Sequence, residues 1–96
     1  MDLPNLPILA ALGQRTRWRT FELLLAHGDR GMLQGEIAKA LEVEKNLLSV
    51  HLRVLKEAGL VSAEKHGREI TYRVTPAGAQ KTVEKVLDAI RERKRS

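Results

Sequence analysis

Asn46, Ser49, Val50 and Arg53 recur at i, i+3, i+4 and i+7, the spacing that gathers side chains on one face of an α-helix. The chemistry such a set could do is recognition, not bond-making. The Asn46 carboxamide can bond adenine in two places, and the Arg53 guanidinium can bond guanine or a phosphate. Ser49 can donate to a phosphate, and Val50 can touch a thymine methyl. Lys45 lies beside them. His51 falls at the edge of this face. Two readings are open for it: a half-buried ring bonded to a neighbour, and a phosphate contact. Further along, Lys65, His66 and Arg68 form a second cationic group, suited to phosphates or to a minor groove. Glu64 and Glu69 flank that group and would oppose a phosphate if they pointed the same way.

These residues need elements to hold them. Leu48, Leu52 and Leu55 lie at i, i+4 and i+7, which predicts a helix from about Lys45 to Ala58 with the recognition set facing outward. Gly59 suits the left-handed position just past its end. A shorter helix over Gln34–Leu41 precedes it, with Ile37 and Leu41 inward and Glu42-Val43-Glu44 as a tight connection. From Leu60 to Val74 the period changes to two. Val61, Ala63 and Lys65 share a face of one strand, and Ile70, Tyr72 and Val74 share a face of the next. His66-Gly67 is the predicted two-residue turn between them.

The remaining segments frame this unit. Leu6, Leu9 and Leu12 form one stripe of a first helix that Gly13 ends. Thr16 is expected to cap a second helix, whose apolar face is Trp18, Phe21, Leu24 and Leu25. A turn over Gly28–Gly31 and a short Met32-Leu33 strand follow. Thr75-Pro76 opens a last helix carrying Val83, Val86, Leu87 and Ile90 on one side. The order predicts a single domain over residues 1–96, mainly α with a small β-hairpin wing. It is a winged helix-turn-helix, with the helix-turn-helix at about 34–58, the wing at about 60–74 and the C-terminal helix at about 76–93.

Composition narrows the function. A net charge of +5 favours an anionic partner, and nucleic acid is the commonest. Only Trp18, Phe21 and Tyr72 are aromatic, too few for a platform that stacks single-stranded bases. With no cysteine there is no disulfide and no thiolate metal site. His27, His51 and His66 fall on different elements without ligand spacing, and Glu84, Asp88 and Glu92 form a solvated stripe alongside Lys81, Lys85 and Arg91. No metal and no cofactor are expected. Nucleophile elbow, phosphate loop and paired catalytic carboxylates are all missing, so no enzyme is expected. No apolar run reaches the roughly 20 residues that span a bilayer, and the Met-Asp-Leu-Pro start lacks the basic region of a secretory signal. A cytoplasmic protein with no membrane contact is expected.

Over about residues 9–75 the chain resembles the ArsR family of bacterial winged-helix repressors. The resemblance is carried by Ala11-Leu12-Gly13 with Thr16-Arg17, by Gly35-Glu36-Ile37-Ala38, and by Leu48-Ser49-Val50-His51-Leu52 with Leu55 and Ala58-Gly59-Leu60-Val61. Gly67-Arg68 and Tyr72 complete it in the wing. It implies a homodimer held by the first and last helices, here through Leu6, Leu9, Leu12, Val83, Val86, Leu87 and Ile90. It implies repression at an inverted-repeat operator in double-stranded DNA and release by an effector, which these residues leave unknown. The family's recognition contacts fall on Lys45, Asn46, Ser49 and Val50, and its wing contacts on Lys65 to Arg68. Thiol-based metal sensing, found in many members, is not available to a chain without cysteine. The competing expectations are a protein that coats DNA without choosing sites and a winged helix used for protein docking.

Overall fold

Leu48, Leu52 and Leu55 are fully buried in the structure, a computed structural model that describes residues 6–95 without the side chains of Leu6, Pro7, Ala79, Thr82, Val86 and 93–95. Each such leucine stabilises the fold by about 1.5–3 kcal/mol through removal from water. The elements are α1 (Leu6–Leu12), α2 (Arg15–His27), β1 (Met32–Leu33), α3 (Gln34–Leu41), α4 (Lys45–Glu57), β2 (Val61–His66), β3 (Glu69–Val74) and α5 (Pro76–Arg95). A single 3₁₀ turn over Gly28–Arg30 joins α2 to β1. The core gathers Phe21 and Leu24 of α2, Ile37 and Leu41 of α3, the three α4 leucines, Leu60, and Met32, Val61 and Tyr72 of the sheet.

The second helix departs from expectation at both its start and its face. Its cap is Gln14, whose side-chain oxygen accepts from the Arg17 N–H at 2.9 Å, and Thr16 lies inside the helix. The reason is the shortness of the link: α1 ends at Leu12, so α2 begins two residues before a Thr16 cap would allow. Trp18 and Leu25 are exposed, while Thr20 is buried with Phe21 and Leu24. Trp18 and Leu25 lie seven residues apart and so share one rim of the apolar face, beside rather than over the core. Thr20 tolerates burial because its hydroxyl donates to the Thr16 carbonyl at 2.7 Å. Trp18 stacks on Phe21 with ring centroids 6.3 Å apart.

The end of α4 is fastened by its own backbone. Gly59 N–H donates to Lys56 O at 3.0 Å and Leu60 N–H to Leu55 O at 2.9 Å, the two bonds of a Schellman cap, and Leu60 is fully buried behind them. Thr75 ties α5 to the same place: its hydroxyl donates to Gly59 O at 2.5 Å and its N–H to Leu60 O at 2.9 Å. Among the described residues no helix is long and apolar enough to cross a membrane.

The sheet is antiparallel in the order β1-β3-β2. Val61 pairs with Val74, Ala63 with Tyr72 and Lys65 with Ile70, so the two expected faces meet as one. The turn falls one residue later than expected. His66 still pairs with Glu69, which leaves Gly67-Arg68 as the loop. Gly67 has φ +61° and Arg68 a negative φ, the sign pattern of a type II′ turn with glycine first. Gly31 is required for a different reason. A Cβ there would lie 2.6 Å from the Tyr72 carbonyl oxygen, so only glycine lets β1 approach β3.

Candidate nucleic-acid interface

The helix-turn-helix geometry follows from two linked helices and one uncommon residue. Glu42, after α3, adopts φ +55°, a left-handed turn that a side chain accepts only at a cost of about 1–2 kcal/mol. Val43 N–H returns to Ala38 O at 3.0 Å, and α4 starts at Lys45. Burial of Leu48, Leu52 and Leu55 then leaves Lys45, Asn46, Ser49, Val50 and Arg53 exposed together, as their spacing predicts. Among the described residues Lys45 and Arg53 make no ion pair, and neither do Lys65 and Arg68 at the wing. Their charges are therefore uncommitted.

Ser49 behaves differently from the expectation that it donates to a phosphate. Its hydroxyl donates to the Lys45 carbonyl of its own helix at 3.1 Å and accepts from Gln34 Nε2 at 2.5 Å. Gln34 begins α3. Spacing on α4 could not reveal it, because the contact crosses from one helix to another.

His51 resolves to the first of its two readings. It is only 8% exposed, so it does not stand with the outer set. Its Nδ1 faces Arg17 Nη1 at 3.4 Å, and Arg17 Nε donates to Ala11 O at 2.7 Å. One guanidinium thus joins the end of α1, the start of α2 and the middle of α4. Burial, and secondly the Arg17 charge, hold the His51 pKa below its ordinary value.

At the wing, Lys65, His66 and Arg68 are all exposed. His66 is not free, since its Nε2 contacts Glu64 Oε1. Arg73 Nη1 pairs with Glu64 Oε2 at 3.2 Å, and Arg73 Nε donates to the Asp29 carbonyl at 2.7 Å. Glu64 is therefore answered by two basic groups instead of standing against a phosphate. The His66 hydrogen bond first, then Arg73, keep its carboxyl below the ordinary value. An open cleft of about 380 Å³ separates the wing tip from the helix starts, lined by Gln34, Lys45, Arg68 and Glu69 among others.

Residues 7–62 match the helix-turn-helix domain family. The solved structure of an ArsR-like transcriptional regulator from Rhodococcus sp. RHA1 superimposes with a TM-score of 0.82 at 32% identity, over 95% of this chain and 83% of that one. The chain belongs to the ArsR family. That family consists of DNA-binding transcriptional regulators, not enzymes. The transcriptional repressor SmtB of Mycobacterium tuberculosis is 49% identical over 39 residues, which are 41% of this chain and 29% of that protein's length. A homodimeric winged helix-turn-helix DNA-binding domain from Mycobacterium bovis, solved by NMR, has a TM-score of 0.69 at 27% identity over 86% of this chain and 75% of its own.

The ArsR resemblance also directs attention to the first and last helices. Val83, Leu87 and Ile90 of α5 are 42–57% exposed although large and apolar. Leu9 is half-buried, and Leu12 is partly buried against the core. The side chains of Leu6 and Val86 lie outside the described residues. On the polar side of α5, Asp88 meets Arg91 at 3.5 Å and Gln80 donates to Glu84 at 3.3 Å. Among the described residues no three His, Asp or Glu side chains gather as a metal site.

Proposed function

We propose that this ArsR-family chain is a homodimeric repressor that occupies an inverted-repeat operator and leaves it in response to a signal. The observation that carries the reading is the outer face of α4. Asn46, Val50 and two cations that make no ion pair among the described residues, Lys45 and Arg53, stand exposed on a helix whose other side is locked by leucines. Such a face is narrow and cationic and enters a major groove through its N-terminal residues. The wing adds Lys65 and Arg68 for phosphates of the flanking DNA. Exposure of Val83, Leu87 and Ile90 supports a dimer closed through α5, as does the homodimeric relative from M. bovis. Two α4 helices related by a two-fold axis meet half-sites whose centres are about 34–36 Å apart. The site of action is the cytoplasm, where the operator is.

The test is binding of the purified protein to the DNA upstream of its own coding sequence, beside a scrambled copy, at about 150 mM salt. Selective binding with a protected inverted repeat is expected. Equal weak binding to both sequences would leave a target elsewhere in the genome or a non-specific coat, and no binding would indicate a protein-docking module. On the selected operator, Asn46→Ala should cost about 1–3 kcal/mol and relax preference at one base position. Unchanged affinity and preference would place α4 outside the groove.

A further inference from the structure

We infer that Gln34 is a specificity-determining residue: its carboxamide, held by the Ser49 hydroxyl on the outer face of α4, reads a base edge in the major groove beside Asn46. The inference rests on the DNA-binding reading above and adds a residue from the other helix of the pair. Gln34 is the first residue of α3, yet its Nε2 reaches Ser49 Oγ at 2.5 Å, fifteen residues along the chain. Ser49 sits at the centre of the exposed set, so the amide is brought to that set by this bond.

The hydrogen-bond network fixes which way the amide points. A hydroxyl has one hydrogen to give. Ser49 gives it to the Lys45 carbonyl at 3.1 Å and accepts from Gln34 Nε2, an arrangement that turns the nitrogen end of the amide toward it. Of the two hydrogens on that nitrogen, one remains. Among the described residues Oε1 has no partner. A free donor next to a free acceptor is what adenine matches with N7 and its N6 amino group. Ser49 is left with no hydrogen for DNA and serves as the clamp.

The surroundings favour contact with DNA over burial in the protein. Gln34 lines the open cleft with Lys45 and Arg68, two cations from α4 and the wing tip. Of the two acids on the cleft wall, Glu36 is committed to the Leu33 N–H at 2.9 Å. Phosphates drawn to Lys45 and Arg68 would bring base edges to the amide between them.

The experiment measures base preferences of the purified chain on a library with randomised half-sites, for the wild type and for Gln34→Ala, Gln34→Glu and Ser49→Ala. Gln34→Ala should lose an adenine preference of about 5- to 100-fold at one position per half-site and leave the position read by Asn46 intact. Gln34→Glu, which replaces the donor with an acceptor, should move that preference toward cytosine and its N4 amino group. Ser49→Ala should blunt the same position and no other. Thermal unfolding establishes that each variant is folded, and Gln34→Glu serves if Gln34→Ala is not. Unchanged preferences in folded Gln34 variants, or equal weakening on every sequence, would overturn the inference. A wild type with no base preference would instead sink the regulator reading itself, before any variant is compared.

Discussion

The recognition helix and the wing both point cations outward, yet they are fastened by different forces. α4 is set by burial: Leu48, Leu52 and Leu55 have no exposed surface. The wing leaves the core behind as it extends. On its inward face, Val61 and Tyr72 are buried, Ala63 and Ile70 are half-buried, and Lys65 is exposed. What steadies the wing is Arg73, joined to Glu64 on one strand and to the Asp29 carbonyl beside β1. Salt screens such surface ion pairs and barely touches apolar burial. The helix is therefore the rigid part, suited to choosing sequence. The wing is the adjustable part, suited to adding affinity that varies with salt.

The contrast can be broken most forcefully at the leucines. Leu52→Ala should cost about 3–5 kcal/mol, read from urea unfolding, because a filled site becomes a cavity. Arg73→Ala should cost no more than about 1 kcal/mol by the same measurement, because its partners stay in water. If the two losses were equal, the wing would be as firmly built as α4 and the division of labour would fall.

A smaller effect is expected at the wing tip. Arg68→Ala should weaken binding to every sequence alike and lower the slope of log K against log salt by about one. A change in base preference would mean that the wing reads sequence as well. Glu64→Gln should act in the opposite direction and by less. It removes an anion from the tip and releases His66 and Arg73, which raises affinity for all DNA alike, by less than the roughly three- to four-fold that a slope change of one represents between 200 and 50 mM salt. Unchanged or weaker binding would mean that Glu64 matters only for the posture of the hairpin.

The same contrast explains what the sequence disclosed. Periodicity reveals which residues share a face, so the outer set of α4 and the paired faces of the wing were legible, as was the order of elements. Features that depend on a meeting between elements were not. Gln34 and Ser49 belong to different helices, and Arg17 reaches His51 across thirty-four residues. The cap at Gln14 was hidden because a threonine two residues later is the stronger cap by type, and only the tight link from α1 decides between them. The turn shifted from His66-Gly67 to Gly67-Arg68 because either position accommodates a glycine, and moving it by one residue leaves the members of each face unchanged.

The smallest expected effect tests whether α4 has any ionisable fastening beside its leucines. His51 is buried next to the Arg17 guanidinium, at a distance near the long end of hydrogen bonding. Both burial and that charge favour the neutral ring, so its folded pKa lies below the ordinary 6.5. In the unfolded chain the imidazole takes up a proton as pH falls through 6.5, while in the fold it does not until lower pH. The unfolded state then binds more protons. The stabilisation is complete above pH 6.5, declines as pH drops from there to the folded value, and declines no further below it. His51→Gln keeps an acceptor for Arg17 and cannot titrate. Its melting temperature should therefore fall less than that of the wild type between pH 7.5 and 5.5. Parallel curves would show that α4 is held by its leucines alone, and the contrast with the ion-paired wing would be sharper still.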